Sequence, residues 1–302
     1  MREWLSLYDS KSGERGIYNG MSAKNTVEQL NERYEDGDGG FITRRVARED
    51  FGTNPCSEII LRSREFCNLS ECVVRREDTR ESLKEKVRTA AILGTFQSTL
   101  TEFKYLSREW KKNCDEERLL GVSLTGIMDS PLTNGSKKGL DTLLEELRDI
   151  AYETNKEWSE KLGIPTSAAI TCVKPSGTVS QLVDSASGIH ARHNPFYIRT
   201  VRADNKDPLC KLMQDMGFPN EVDVTKPEHT TVFSFPMKTP KGAICRMDMT
   251  ALEQLELWKV YATSWCEHKP SVTISVKEDE WVEVAAWVYE HFDSISGISF
   301  LP

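Results

Sequence analysis

Short apolar runs alternate with segments of helical spacing from residue 66 to the end of the chain, and this alternation restricts the fold more than any other feature. The clearest helical segment carries Leu140, Leu143, Leu144 and Leu147 on one face and stops at Gly163. Helical spacing recurs around 83–103, 209–216, 255–265 and 281–288, and the apolar runs lie at 66–74, 119–127, 168–173, 230–235, 272–276 and 297–301. Strands that alternate with helices predict an α/β fold with a largely parallel sheet, either open or half of a barrel.

The first fifty residues are charged and predict irregular structure. A loop is expected at 10–16 and a flexible turn at 35–40, since both stretches are rich in glycine and polar residues. The chain has no internal repeat, low-complexity segment or proline-rich linker. No firm domain boundary therefore follows from the sequence.

The composition excludes several classes of partner and location. The 302 residues include 39 Lys and Arg against 47 Asp and Glu, so a general attraction to nucleic acid or to an anionic membrane is not expected. No apolar stretch approaches the roughly 20 residues of a membrane span, and the first residues lack the apolar core of a signal peptide. Eight cysteines without a C-x-x-C pair are too few for a disulfide scaffold. We therefore expect a cytoplasmic protein with no direct contact to nucleic acid or membrane.

The sharpest chemical signal is the segment Asn54-Pro55-Cys56-Ser57-Glu58, which places an amide, a thiol and a carboxylate within five residues. If the segment is extended, alternation directs Asn54, Cys56 and Glu58 to one side, where they could face one small substrate. Composition alone favours a buried, inert cysteine followed by a helix-capping glutamate. Cys67, eleven residues after Cys56, adds a second thiol that is either a redox partner or a core residue of a strand.

A second polar segment, Lys174-Pro175-Ser176-Gly177-Thr178, follows a predicted strand. Its backbone N–H groups and two hydroxyls could bind a phosphate, with Gly177 allowing close approach. It is not a Walker motif, and on spacing alone an ordinary turn is the favoured interpretation.

The most basic local cluster consists of His190, Arg192, His193, Arg199 and Arg202. No acidic or cysteine residues lie at metal-ligand spacing around it, so we predict no metal site. A solvated loop and a contact to a nucleotide or cofactor both stay open. We interpret three tryptophans and six further cysteines as structural: Trp258, Trp265, Trp281, Cys72, Cys114, Cys172, Cys210, Cys245 and Cys266.

Four motifs occur in a characteristic order along the chain. They are the segment 54–58, Phe66-Cys67-Asn68-Leu69, Leu119–Gly126, and Lys174–Thr178 followed by Ser187-Gly188-Ile189-His190. In this order they resemble the large catalytic chain of ribonucleotide reductases, above all the adenosylcobalamin-dependent class II enzymes of the monomeric type that reduces ribonucleoside triphosphates. The segment 10–17 also resembles that subgroup, and the similarity covers nearly the whole chain.

The resemblance implies a ten-stranded α/β barrel made of two five-stranded halves. This chain would hold the second half together with the catalytic finger loop, divided into an irregular entry segment (1–52), the catalytic loop (53–65) and the half-barrel (66–302). The implied cofactor is adenosylcobalamin, although the chain has no D-x-H-x-x-G cobalamin signature. The alternative is a radical generated by a separate metal-containing subunit.

The same resemblance implies roles for individual residues. Cys56 would be the thiyl radical that removes the 3′ hydrogen of a ribonucleotide, and Glu58 the base at the 3′ hydroxyl. Asn54 would hydrogen-bond a ribose hydroxyl, and Cys67 would be one of the two cysteines that reduce the 2′ carbon and end as a disulfide. The implied substrate-binding residues are Ser57, Pro175, Ser176, Gly177 and Thr178.

Members of the family are considerably longer than this chain. The first half-barrel, the effector region and the other reducing cysteine would precede Met1, and the tail cysteines would follow Pro302. We therefore expect a fragment whose partners are an N-terminal half-barrel and a thioredoxin-like reductant. The alternatives are a non-catalytic nucleotide-binding or assembly module with the same fold, and a thiol hydrolase using Cys56 with His190.

Overall fold

A computed structural model describes residues 2–13, 16–31, 44–46 and 50–302. The turn expected at 35–40 and part of the loop expected at 10–16 lie outside these residues. The helices are α1 (Arg2–Ser10), α2 (Gly20–Asn31), α3 (Arg80–Gln97), α4 (Arg108–Glu117), α5 (Leu140–Leu162), α6 (Val179–Leu182), α7 (Pro208–Asp215), α8 (Ala251–Ser264) and α9 (Trp281–Glu290). The strands are β1 (Gly16–Tyr18), β2 (Gly52–Thr53), β3 (Ile60–Leu61), β4 (Asn68–Val73), β5 (Leu120–Thr125), β6 (Thr171–Cys172), β7 (Phe196–Asp204), β8 (Asn220–Val222), β9 (Thr230–Lys238), β10 (Thr273–Ser275) and β11 (Gly297–Leu301).

Parallel pairing connects most of the buried strands. β4, β5 and β6 pair in parallel, and β10 pairs in parallel with β11. A parallel bridge between Val173 and Pro270 joins these two groups, and β1 pairs antiparallel with β11 at the far edge. The α/β prediction is confirmed. The described strands run in the order β4-β5-β6-β10-β11-β1 and do not close into a barrel.

The two faces of this parallel run have different neighbours. Side chains alternate along a strand, so Val122 and Leu124 point to the face covered by α3 and α5, where they are fully buried. Ser70 lies on that face too, and its hydroxyl donates to the carbonyl of Ala90 in α3 at 3.0 Å. Gly121 belongs to the opposite face, which is the face that the cysteine segment covers.

A separate antiparallel group corrects the expectation of a largely parallel sheet. β9 pairs antiparallel with β7 over nine residue pairs and with β8 over three. The sequence indicated β9 but not β7, because most residues of β7 are exposed and the strand lacks a continuous apolar run.

Other differences concern element ends. The first fifty residues contain α1 and α2 instead of wholly irregular chain. The helix expected around 83–103 ends at Gln97, and α4 was not expected. Trp258, Trp265 and Trp281 are buried in the main core, as predicted. Among the helices in the described ranges, none is long and apolar enough to cross a membrane.

Candidate active site

The cysteine segment forms a tight loop between two short strands. β2 and β3 pair antiparallel, with Gly52 opposite Leu61 and Thr53 opposite Ile60. Within the loop, Ser57 N donates to the Asn54 carbonyl at 2.8 Å, and Ile59 N donates to Asn54 Oδ1 at 3.0 Å. The segment is therefore not extended. The Asn54 amide oxygen accepts a hydrogen bond inside the loop, where it holds the turn.

The Cys56 side chain is exposed at the tip of this loop. It opens on a cavity of about 430 Å³. Residues from five parts of the chain line this cavity, among them Gly13, Gly16, Ile17, Tyr18, Pro55, Ser57, Pro175, Ser271, Thr273 and Gly297. A thiol in this position is accessible to a small molecule, unlike the buried, inert cysteine that composition favoured.

Glu58, two residues later, is fully buried. Neither carboxylate oxygen accepts a hydrogen bond from the residues that the structure describes. The Nζ atom of Lys174 lies 3.8 Å from Oε1. Buried polar groups are nearly always hydrogen-bonded, so a buried carboxylate without a donor marks a place where a ligand can supply one.

Cys67 and Glu71 lie near Glu58 on the same side of the parallel run. Burial raises the pKa of the Cys67 thiol, and the negative charges of Glu58 and Glu65 raise it further. Burial also raises the pKa of Glu71, an effect that the Ser176 hydroxyl and the Lys174 ammonium oppose. At neutral pH Cys67 is therefore a thiol, the form that carries a hydrogen atom. All eight cysteines of the chain are free.

The segment Lys174–Thr178 forms a turn next to the cysteine loop. Ser123 Oγ accepts a hydrogen bond from Lys174 N at 2.8 Å, and Pro175 reaches the wall of the cavity. Ser176 is buried with a φ of 57°, whereas Gly177 and Thr178 are exposed and are not among the residues that line the cavity. Pro175 is thus the residue of this segment that the fold brings to Cys56.

The Ser187-Gly188-Ile189-His190 motif supports this turn. A Cβ atom at Gly188, which has a φ of +56°, would lie 2.3 Å from the Lys174 carbonyl oxygen. Glycine is therefore required there for two reasons, its backbone conformation and its contact with Lys174.

The basic cluster does not assemble at this site. His190 Nδ1 lies 3.0 Å from the Ser187 carbonyl oxygen, and Nε2 accepts from Thr273 N at 3.0 Å, so the neutral ring bridges two backbone groups. Arg192 is buried against Asp129, and Arg202 pairs with Asp223. Both nitrogens of His190 are engaged with backbone, which removes support for a Cys56–His190 hydrolase. No group of three or more metal-ligating side chains occurs within the described ranges.

Lys269 and Ser271 are part of the site and were not expected. Lys269 is 1% exposed, and its Nζ donates to Ser57 Oγ at 2.9 Å. Ser271 Oγ donates to the Cys56 carbonyl at 2.6 Å. The only local signal is the polar run Glu267–Lys269 between an apolar helix and an apolar strand.

Comparison with solved structures defines the class of fold. A B12-dependent class II ribonucleotide reductase superposes with a TM-score of 0.78 over 100% of this chain and 45% of its own, at 23% identity. The alpha subunit of the class Id ribonucleotide reductase of Actinobacillus ureae superposes with a TM-score of 0.62 over 99% of this chain and 60% of its own, at 14% identity. The fold is that of ribonucleotide reductase catalytic chains.

Sequence comparison narrows the relationship. Adenosylcobalamin-dependent ribonucleoside-triphosphate reductase from Euglena gracilis is 31% identical over 100% of this chain and 44% of its own length. The enzyme of the same name from Lactobacillus gasseri is 27% identical over 96% of this chain and 41% of its own. No protein-family model matches the sequence. The chain is homologous to a part of these reductases, as the motifs predicted, and spans less than half the length of the relatives it matches.

Proposed function

We propose that this chain carries the catalytic centre of an adenosylcobalamin-dependent reductase that converts ribonucleoside triphosphates into deoxyribonucleotides for DNA synthesis. The observation that carries the proposal is the combination, in one loop, of an exposed Cys56 thiol and a buried Glu58 carboxylate that accepts no hydrogen bond from the described residues. The two residues serve different steps, because only Cys56 is exposed to the cavity and only Glu58 is shielded from water.

The first step uses Cys56 as a hydrogen-atom carrier. Its thiyl radical takes the hydrogen from C3′ of the ribose, which restores the S–H bond and leaves an unpaired electron on carbon. Glu58 accepts the proton of the 3′ hydroxyl as general base. The missing donor at the Glu58 carboxylate is then the substrate hydroxyl itself.

Cys67 supplies reducing equivalents for the second step. The 2′ hydroxyl leaves as water, and Cys67 with a second thiol provides two electrons and two protons while the two sulfurs form a disulfide. Cys56 finally returns its hydrogen atom to C3′, so it is regenerated in each cycle. We propose that the second thiol belongs to the N-terminal part of the enzyme and that a thioredoxin-like dithiol reduces the disulfide in the cytoplasm.

Substrate binding falls to the two loops that meet at the cavity. Ser57 and Pro175 line it directly, and Asn54 shapes the loop beside the ribose position. Gly177 and Thr178 are exposed further along this turn, where we propose that the phosphate chain of the substrate extends. Ser176 is buried, and we propose that it orients this turn.

The open side of the cavity, beside Cys56, is where we propose that this chain would hold the cofactor. Adenosylcobalamin, when bound, supplies the radical that activates the Cys56 thiol. Cys56 is exposed, and the wall nearby includes Gly13 and Gly16. These features fit such a cofactor, and we assign the wall formed by Gly13, Gly16 and Ile17 to it.

The parallel run β4-β5-β6-β10-β11 is proposed to be one half of a barrel. Five parallel strands joined by pairing and by the Val173–Pro270 bridge present one face to helices and the other to the cysteine loop. β4 ends the run among the described strands and can pair with a further strand. We propose that an N-terminal half-barrel completes the barrel. The matched relatives are more than twice as long as the segment that they share with this chain, so their length allows for such a half.

The test is turnover in a complex of this chain with the polypeptide that supplies the N-terminal half-barrel. Deoxyribonucleotide formation is measured from a ribonucleoside triphosphate with adenosylcobalamin and a dithiol. Cys56→Ala should abolish it, whereas Cys210→Ala, remote on α7, should not change it.

Cys67→Ser separates the two steps. It should stop multiple turnover while isotope exchange at C3′ continues. Retained turnover in Cys56→Ala contradicts the proposal. Nucleotide binding that depends on Ser176 and Thr178, with no effect of Cys56→Ala on any activity, would instead indicate a non-catalytic binding module.

A further inference from the structure

Three hydrogen bonds join one short segment, Lys269–Ser271, to three consecutive residues of the cysteine loop. Ser271 Oγ donates to the Cys56 carbonyl at 2.6 Å, and Lys269 Nζ donates to Ser57 Oγ at 2.9 Å. Lys269 N donates to the Glu58 carbonyl at 3.2 Å. The segment therefore contacts the loop through main chain and side chain, from the stretch of chain just before β10.

The Lys269 ammonium is enclosed beside the loop. The side chain is buried, and the Tyr18 ring centroid lies 5.6 Å from Nζ. A Cβ atom at Gly297 would lie 2.1 Å from Nζ and 3.2 Å from Ser57 Oγ. A buried ammonium is unfavourable for stability. A side chain at position 297 would clash with Lys269 Nζ, so glycine at this position allows the ammonium to lie next to Ser57.

Ser57 is the residue of the loop that most needs external support. Its φ of 67° is in the left-handed region, which is sterically unfavourable for residues other than glycine. The hydroxyl of Ser57 contacts Thr53 Oγ1 at 3.5 Å and Lys269 Nζ at 2.9 Å. The bond to a charged donor is the stronger of the two.

The geometry points to Lys269 as a positioning residue: its ammonium holds Ser57 in the left-handed turn that presents Cys56 to the cavity. The hydrogen bonds from Lys269 N and Ser271 Oγ fix the residues on either side. That the presented thiol reacts with a ribonucleotide rests on the proposed function, whereas the hold on the loop is independent of it.

The hydrogen bond from Lys269 Nζ to Ser57 Oγ should weaken when Lys269 loses its proton, and the loop should then become more mobile. Burial lowers the pKa of Lys269 to about 8, and the negative charge of Glu58 opposes that shift. Burial raises the pKa of Tyr18, and His268 stays neutral because burial lowers its pKa to about 3. Cys56 carries a thiol in the same loop, so a pH series belongs in a Cys56→Ala background.

Amide hydrogen exchange of the full chain, read by mass spectrometry on a peptide covering residues 54–60, tests the hold. We expect Lys269→Met to lower the protection factor of this peptide about tenfold, since a charge-assisted hydrogen bond is lost. Ser57→Ala removes the acceptor and should give a similar loss. The double variant should lose no more than either single variant. A peptide from α5 serves as the reference and should not change.

The pH series distinguishes a positioning role from a merely structural one, because only loss of the Lys269 proton should change the protection factor of peptide 54–60. Between pH 7 and pH 9.5, the protection factor of 54–60 should fall in Cys56→Ala and stay level when Lys269→Met is added. Unchanged protection in Lys269→Met and Ser57→Ala overturns the proposal, and so does a double variant whose losses multiply.

If Lys269→Met fails to fold, the exchange measured in Ser57→Ala and the pH series in Cys56→Ala test the proposal. Equal protection of peptide 54–60 at pH 7 and at pH 9.5 in Cys56→Ala then overturns the proposal. None of these measurements uses turnover, so an inactive reconstituted complex would refute the proposed function and leave this inference standing.

Discussion

Lys174 Nζ lies 3.8 Å from Glu58 Oε1, and this contact connects the cysteine loop to the turn that follows β6. Glu58 is fully buried, whereas the Lys174 side chain is 31% exposed. Lys174 begins the segment proposed to bind phosphate. A phosphate bound at that segment would therefore act on the same ammonium that faces Glu58.

Glu58→Gln should abolish the proposed reaction and destabilise the fold. The Glu58 carboxylate faces Lys174 Nζ at 3.8 Å, and its negative charge also favours the protonated form of the buried Lys269. Removing one partner of a buried ion pair leaves the other charge uncompensated, so we expect a loss of roughly 1 to 3 kcal/mol in the free energy of unfolding, measured by urea denaturation. Glu145→Gln, on the exposed side of α5, is the control and should change stability by less than about 0.5 kcal/mol. A Glu58→Gln variant as stable as the control would show that the Glu58 charge does not compensate these lysines.

Cys56 should be the fastest of the eight cysteines to react with iodoacetamide. It is exposed, Cys67 is half-buried and the other six are buried, so one rapid modification is expected, followed by slow ones. Peptide mass spectrometry identifies the modified residue, and Cys56→Ser should remove the rapid phase. His190→Gln should leave the rate at Cys56 unchanged, because His190 bonds to Ser187 and Thr273. A rate that depends on His190 would revive a thiol hydrolase.

The sequence predicted those elements whose residues carry their own signal. α5 begins at Leu140 and ends at Leu162 because an apolar stripe defines its buried face and Gly163, with a φ of 67°, terminates it. β7 escaped prediction because its residues are mostly exposed, so no apolar run marks it. The order β4-β5-β6-β10-β11 could not follow from periodicity at all, since the pairing of strands depends on segments far apart in the chain.

The site divides in the same way. The NPCSE segment signals its chemistry within five residues, and the structure does place Cys56 at a cavity. Lys269 is separated from Ser57 by 212 positions, so nothing local to either residue predicts their hydrogen bond. The extended conformation considered for 54–58 failed because Asn54 accepts hydrogen bonds from Ser57 N and Ile59 N and closes the turn.

Gly188→Ala should destabilise the protein, and Gly177→Ala should not. A methyl group at Gly188 would meet the Lys174 carbonyl at 2.3 Å with a φ of +56°, whereas no atom lies within 4 Å of a methyl group at Gly177. Since backbone must shift in the first variant, we expect a loss of roughly 2 to 4 kcal/mol by urea denaturation, against less than about 0.5 kcal/mol in the second. Equal stability of the two variants would show that the turn at 174–178 is not supported by Gly188.

His268 should make stability depend on pH between about 3 and 6.5. Its Nδ1 accepts from Ile60 N at 3.3 Å, and Nε2 lies 3.0 Å from the Leu120 carbonyl oxygen, so the neutral ring joins the cysteine loop to β5. Burial lowers its pKa from 6.5 to about 3, with the positive charge of Arg45 adding to the effect. The unfolded chain binds a proton below pH 6.5 that the folded chain refuses, so stability falls as pH falls.

The expected size follows from the same shift. Lowering the pH from 7.5 to 5 takes the unfolded histidine about 1.5 pH units below its pKa, which corresponds to a loss of about 2 kcal/mol. In His268→Gln the loss measured by urea denaturation between these pH values should be smaller by that amount. His229→Gln replaces an exposed histidine and should show the wild-type loss. If His268→Gln and His229→Gln lost the same stability, His268 would have to be protonated in the folded protein, and its bond to Ile60 N would not exist.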